Sequence, residues 1–234
     1  KKDDTKNELK SSDFLYLPKN LTNINISGGE PFLRSDLPEI VENIKKRCKS
    51  AGIIISTNGF ATKSIVNTMK SLIEIDSNIG VVVSVDGVGE NHDKIRGVLG
   101  GFKQLLNTVR ELKSMGVKVK IAFTIADYNY TDLRNVYNLS LDSEIEMSLA
   151  LVHSSENYFN IENDVMCKDD IRKSLDWLMR KELSSNNPKK WLRAYFTHGL
   201  KVFLDTGMRI LPDYSGEGSA FISSNGDIYP SDVN

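Results

Sequence analysis

The sequence predicts a parallel α/β fold: part of a (β/α) barrel, a full barrel, or a doubly wound sheet. Three observations carry that prediction. Short runs dense in Ile and Val alternate with amphipathic segments from about Asn23 to Leu151. The runs begin roughly 27 to 37 residues apart, the size of a βα unit. Three of them end in turns of Gly, Ser, Thr and Asx residues, where parallel folds carry their functional groups.

The elements follow in order. Strands are expected at Asn23–Ser27, Gly52–Thr57, Gly80–Val85, Val117–Ile125 and Glu144–Leu151. Their Ile/Val density is that of parallel strands buried on both faces. Asp36 with Glu39 three residues on reads as a capping box, with Pro38 in the first turn of the helix it opens. Leu37, Ile40, Val41, Ile44 and Cys48 then form one apolar stripe. Ile65, Val66, Met69, Leu72 and Ile73 form a second, and Phe102, Leu105, Leu106, Val109 and Leu112 a third that stops at Gly116. A weaker helix covers Thr131 to Leu141. After Leu151 the pattern changes: helices at Lys168–Lys181 and Pro188–Leu204, joined by polar Ser184–Asn187, precede short strands at Met208–Leu211, Ser219–Ser223 and Asp227–Tyr229. Asn225-Gly226 is a hairpin turn signal between the last two.

Bulk properties narrow the function classes. The 234 residues carry 30 basic and 31 acidic side chains, so net charge gives no argument for a nucleic-acid partner. The basic stretch Lys189-Lys190-Trp191-Leu192-Arg193 reads as a solvated helix face. No apolar run approaches the ~20 residues that span a membrane, and no signal peptide is visible. Two cysteines, Cys48 and Cys167, share no motif, which makes a cytoplasmic compartment the default. The chain starts at Lys1 rather than Met and stops at Asn234 straight after a strand; both ends read as cut.

The chemistry lies in the three turns. Ser27-Gly28-Gly29-Glu30-Pro31 offers backbone groups and a carboxylate with no side chain in the way. Ser56-Thr57-Asn58-Gly59 and Ser84-Val85-Asp86-Gly87 follow at the ends of the next two runs. Turns are Gly- and Asx-rich for conformational reasons alone, so any one of the three is weak evidence. All three in order, at one edge of a parallel sheet, point to a shared ligand site.

This series, followed by His92-Asp93-Lys94-Ile95-Arg96-Gly97 and Gly100-Gly101-Phe102, resembles the radical S-adenosylmethionine (radical SAM) superfamily. It is most similar to the branch of peptide-modifying maturases and anaerobic sulfatase-maturing enzymes, over most of residues 22–151. The resemblance implies a partial (β/α)6 TIM-like barrel whose first strand is missing or cut, over residues 1–155. Residues 156–234 would then be a small α+β appendage with a β-hairpin, a truncated SPASM or Twitch extension. It implies that Gly28, Gly29, Glu30 and Pro31 meet the amino group and methionine moiety of SAM. Thr57, Ser84 and Asp86, with Asn58 beside them, would line the site, and Arg96 would meet the SAM carboxylate. The implied chemistry is the cofactor's: a reduced [4Fe–4S] cluster cleaves SAM to a 5′-deoxyadenosyl radical that takes a hydrogen atom from substrate. A peptide or cofactor-precursor substrate, and a flavodoxin or ferredoxin as electron donor, are implied with it.

Two departures accompany the resemblance. The Cys-x3-Cys-x2-Cys loop that holds the family's cluster is not in this sequence, so no metal ligand or catalytic residue is assigned. Its place, like that of the first strand, would fall at or before Lys1; truncation accounts for both, and the chain as it stands is expected to be inactive. In the C-terminal extension, Asp213 and Ser231 stand where the two cysteines belong, in a frame otherwise kept by Gly226-Asp227-Ile228-Tyr229-Pro230. Two other readings stay open. One is a cluster-less radical-SAM-like binding or chaperone module. The other is an unrelated barrel enzyme using strand-end carboxylates such as Glu30 and Asp86; Lys118 and Lys120 lie too early in their strand to serve it. The remaining candidates read as structural: Cys48 as core, Cys167 as a free thiol, His92 as shaping its loop, His198 as packed, and Trp177 and Trp191 as core. His153, after the last barrel strand, is either a mouth residue or an ordinary loop residue.

Overall fold

A computed structural model describes residues 8–152 and 165–231. Five strands form one sheet in the order β1 (Asn23–Ile26), β2 (Gly52–Thr57), β3 (Gly80–Ser84), β4 (Lys118–Ile125) and β5 (Glu146–Leu151). Every neighbouring pair is parallel. Sequential order without a reversal is the connectivity of a barrel wall; a doubly wound sheet has a switch point where the order turns back. The curled sheet is a half-barrel, and the doubly wound alternative falls.

Each of the first four strands is followed by helix: α1 (Leu37–Arg47), α2 (Thr62–Ile75), α3 (Glu90–Arg96) with α4 (Gly101–Ser114), and α5 (Leu133–Asp142). Their apolar stripes meet alternate strand residues. Ile40, Val41 and Ile44 of α1, Ile65, Met69 and Leu72 of α2, and Leu105 and Leu112 of α4 share one core with Ile53, Ile55, Val81, Val83, Ile121 and Phe123. The expectation of strands buried on both faces is corrected. Successive residues alternate between buried and accessible along β2 and most of β4, so positions two apart share a face. The register aligns Ser56 with Val82, Val82 with Lys120, Lys120 with Glu146, Ser84 with Ala122 and Ala122 with Ser148 on the accessible, concave side. Lys120 and Glu146 pair there at 3.1 Å.

The chain before β1 runs over α1. A 3-10 turn at Ser11–Tyr16 packs on that helix. Asn43 donates to the Ser11 carbonyl at 2.9 Å, and the buried Cys48 thiol donates to Pro18 at 3.1 Å. The core reading of Cys48 holds. The capping box does not form: Asp36 makes no cap bond because Arg34 takes both its carboxylate oxygens, at 2.9 and 2.8 Å.

Helices α6 (Lys168–Leu183) and α7 (Pro188–Thr206) pack against each other and on the β5 side of the half-barrel. Ile171, Leu175 and Leu178 join the same core. Trp177 packs edge-on against Tyr137 of α5, with Arg134 over its indole at 5.1 Å. Trp191 and His198, read as packed, are exposed on α7. Met208–Leu211 forms no strand. Gly207 ends α7 in the left-handed region, and the residues after it pair with no described strand. The Asn225-Gly226 turn does close a hairpin, β6 (Phe221–Ile222) with β7 (Ile228–Tyr229). Its turn reaches back to the N-terminal segment, where the Leu9 amide donates to the Ser224 carbonyl at 2.7 Å.

Candidate functional site

The three strand-end turns meet on the C-terminal edge of the sheet. Gly28 has φ +142°, a backbone that favours glycine, and a Cβ at Gly28 or Gly29 would point into open space. Pro31 is buried at the start of a 3-10 turn, Pro31–Leu33, with Glu30 as its N-cap. The Glu30 carboxylate therefore faces back across the strand ends. Its Oε1 accepts from the Phe32 amide at 3.3 Å and from the Thr57 hydroxyl at 2.9 Å; Oε2 accepts from the Asn58 amide at 2.8 Å. A carboxylate offers about four lone-pair sites, so these three bonds leave one on Oε2. Thr57 is buried, and its hydroxyl also accepts from the Gly59 amide at 3.1 Å. Asn58 turns its side-chain oxygen to the Phe60 amide at 2.9 Å.

A second cluster sits at the end of β3. Arg96, in the last turn of α3, pairs through Nε with Asp86 Oδ2. A guanidinium has five donors, so among the described residues that pairing leaves its terminal nitrogens for another anion. The turn that carries Asp86 is held from three sides. Its amide donates to His92 Nδ1 at 3.1 Å, and its carbonyl accepts from the buried Asn129 side chain at 3.2 Å. Gly87 packs so closely that a Cβ would lie 2.6 Å from Asp132 Oδ2. The buried Asp132 carboxylate also accepts from the Val88 amide and the Asn91 side chain.

Of the expected site residues, Glu30, Thr57 and Asn58 are joined by hydrogen bonds, and Asp86 and Arg96 by an ion pair. The two groups are neighbours through the β2–β3 register, in which Thr57 pairs with Val83. Ser84 ends β3 half-buried on the concave side beside Ala122. Gly28 and Gly29 are exposed at the rim.

His92 lies on α3 rather than in a loop and is 0% exposed, between Phe60 and Phe102 at ring separations of 5.8 and 5.7 Å. Burial, with the charge of Arg96, holds its pKa below the ordinary value against the pull of Asp86 and Asp93. Tyr128, in the loop after β4, is a site neighbour that sequence reading passed over: its side chain is largely exposed, but partial desolvation of the phenol and the Asp86 charge raise its pKa. The sequence signal available for it was an aromatic three residues past Ile125, the end of the strand, which is no signal on its own. Asn129 and Asp132 were passed over too, although Asx residues just beyond a strand end are the usual anchors of such turns. Asp93 does not face the site. It accepts from the Gly100 and Phe102 amides at 2.6 and 2.7 Å and so caps α4.

Among the described residues no group of three or more His, Cys, Asp or Glu is placed to hold a metal ion. Cys167 sits half-buried at the start of α6, its amide bonded to Asp127 at 3.0 Å. Asp213 folds its own turn, accepting from the Ser215 amide and hydroxyl at 3.0 and 2.6 Å and pairing with Arg209 at 2.9 Å. Those bonds lower its pKa. His153 lies outside the described residues. No described helix is long and apolar enough to cross a membrane.

Comparison with known proteins agrees with this arrangement. The chain is 29% identical over 227 residues to pre-heme d1 synthase of Dinoroseobacter shibae, across 88% of this chain and 55% of that protein. It is 28% identical over 137 residues to the sporulation killing factor maturation protein SkfB of Bacillus subtilis, across 55% of this chain and 32% of that one. The chain thus spans about half the length, or less, of these relatives. The solved structure of native anSMEcpe with bound AdoMet has the same fold, with a TM-score of 0.62 at 17% identity over 95% of this chain and 63% of that one. Residues 12–139, more than half of the sequence, match the family described as Radical SAM superfamily. With a half-barrel of sequential parallel strands and its strand-end turns gathered on one rim, the chain belongs to the radical SAM superfamily.

Proposed function

We propose that the C-terminal rim is an S-adenosylmethionine site, and that the chain is the SAM-cradling part of a radical SAM enzyme. The superfamily works with SAM and a [4Fe–4S] cluster. The residues present suit the first group and not the second. The bare backbone at Gly28 and Gly29, the spare acceptor on Glu30 and the terminal nitrogens of Arg96 match an amino acid that carries an ammonium and a carboxylate. Bound SAM supplies hydrogen-atom abstraction chemistry. In this reading Glu30 takes the ammonium, Arg96 the carboxylate, and Thr57, Asn58, Ser84 and Asp86 hold the cradle in shape; Pro31 fixes the Glu30 turn. The cluster is a different matter. Two cysteines cannot furnish three thiolates, and Cys48 is spent on the core. No electron-transfer step is assigned to these 234 residues, and the chain alone is inactive in radical generation on this reading.

Two substrate classes follow from the relatives, a peptide and a tetrapyrrole-type cofactor precursor. The alignment to pre-heme d1 synthase covers 88% of the chain and so reaches past the half-barrel into the C-terminal helices, whereas that to SkfB covers 55%. This difference favours the cofactor precursor over the peptide, with a small reducing protein of flavodoxin or ferredoxin type as the electron source and the cytoplasm as the setting. Residues 156–234 are then an appendage of SPASM or Twitch type, in which Asp213 acts as a turn-former rather than a ligand.

The observation that carries the SAM site is the hydrogen-bonded union of Glu30, Thr57 and Asn58 beside the Asp86–Arg96 pair. Isothermal titration of the 234-residue chain with SAM tests it. One equivalent should bind, and Arg96→Ala should weaken binding about tenfold or more, the value of a charge-assisted hydrogen bond. Absence of binding, or equal affinity in Arg96→Ala, overturns the assignment.

A further inference from the structure

We infer that His92 is a positioning residue for the SAM site: through Nδ1 it holds the Asp86 amide, and through its ring it ties the β3 turn to the β2 turn. The inference rests on the SAM reading of the rim and deepens it.

Histidine is a poor filler for its location. The ring is wholly buried between Phe60 and Phe102, where a leucine or phenylalanine would pack without polar atoms to satisfy. Because Nδ1 accepts from the Asp86 amide, a neutral ring carries its proton on Nε2. That Nε2 is buried and has no hydrogen-bond partner among the described residues. The site therefore keeps an imidazole at the cost of an orphaned N–H, and the compensating bond is the one to Asp86. Asp86 is in turn the partner of Arg96. On its other side the ring touches Phe60, whose amide is held by Asn58, and the Asn58 amide is bonded to Glu30. A single buried side chain thus lies between the two halves of the rim. Phe102 closes the third side, fixed through its amide by Asp93, the residue next to His92.

Two substitutions separate positioning from packing. His92→Leu keeps apolar volume and removes the acceptor; His92→Asn keeps an acceptor near the place of Nδ1 and removes the ring. The expected result is a crossing of affinity and stability. His92→Leu should melt near the wild-type temperature, because the orphaned Nε2–H it removes offsets the acceptor that the Asp86 amide loses, yet bind SAM about tenfold more weakly. His92→Asn should melt lower, with a cavity between two phenylalanines, yet bind SAM within about threefold of wild type at a temperature where it is folded. Affinity that simply tracks stability, or wild-type affinity in His92→Leu, overturns the inference. Long-range 1H–15N spectra of the wild type give an independent reading, since the chain has only three histidines. A buried histidine protonated on Nε2 alone is expected, and a proton on Nδ1 overturns the inference whatever the variants do. Wild-type protein that fails to bind SAM while showing the expected tautomer overturns the SAM reading itself, and with it the role given to His92.

Discussion

At the scale of single residues, the rim is a set of groups that share protons. Thr57 shows this best, because its hydroxyl donates to Glu30 and accepts from Gly59 at once. Valine has the same shape without the hydroxyl. Thr57→Val leaves the buried Gly59 amide without its acceptor and Glu30 with one donor fewer on Oε1. The expected loss is about 1–3 kcal/mol of stability, the usual cost of a buried unsatisfied group, read by urea denaturation. SAM affinity should fall with it, since the Glu30 carboxylate loses one of the bonds that aim it. Unchanged stability would mean that water replaces the hydroxyl. The sequence marked Glu30, Thr57, Asn58 and Asp86 because each falls where a parallel strand ends, whereas Arg96, in the last turn of α3, was named only through the family resemblance. It under-read His92, whose role depends on a ring–ring contact with Phe60, 32 residues before it in the chain. It over-read Asp36, because a capping box competes with any guanidinium in reach, and Arg34 is two residues away.

Elements were legible where a periodic stripe was long. The five strands and the helices α1, α2 and α4 appear at or within a residue or two of the places their Ile, Val and Leu spacing marks. Glu144 is outside β5 because it takes a positive φ of 53° at the turn into that strand. Helix α3 was missed for the opposite reason. Glu-Asn-His-Asp-Lys-Ile-Arg is seven residues long and has no apolar stripe; it is held by contacts of Asn91 and His92 with other elements. The union of α5, α6 and α7 belongs to this scale as well. Glu182 of α6 is buried, pairs with Arg193 of α7 at 3.2 Å and bonds to Tyr137 of α5. Burial first, then the bond to Glu182 and its charge, push the Tyr137 phenol up to about 12. Glu182→Gln removes the charge and keeps the shape. Alkaline ultraviolet titration should then show one tyrosine ionising at lower pH than in the wild type, but still above its ordinary value because the burial remains. A superimposable titration would place the cause in burial alone.

For the molecule as a whole, the question is which parts of a radical SAM site these residues can assemble without help. The half-barrel supplies a rim with one carboxylate aimed by three donors and one guanidinium anchored by a buried turn. That much is preorganised by the sheet and its core. The thiolates are another matter, because an iron–sulfur cluster is held by cysteine sulfur and the buried Cys48, which caps the end of α1, cannot leave the core without disturbing that helix. Cys48 donates to Pro18 under the N-terminal segment, and Cys167 stands alone at the head of α6. Binding of SAM and acquisition of a cluster should therefore separate in this chain. After anaerobic incubation with iron, sulfide and thiol, followed by desalting, the protein should retain well under one [4Fe–4S] equivalent and show no charge-transfer absorption. The same preparation should bind SAM as the untreated chain does, and mutation of both cysteines to serine should leave that affinity unchanged. Stoichiometric iron and sulfide lost in the double variant would show that Cys48 can be drawn out of the core, and would undo the division of labour between rim and cluster argued from its burial.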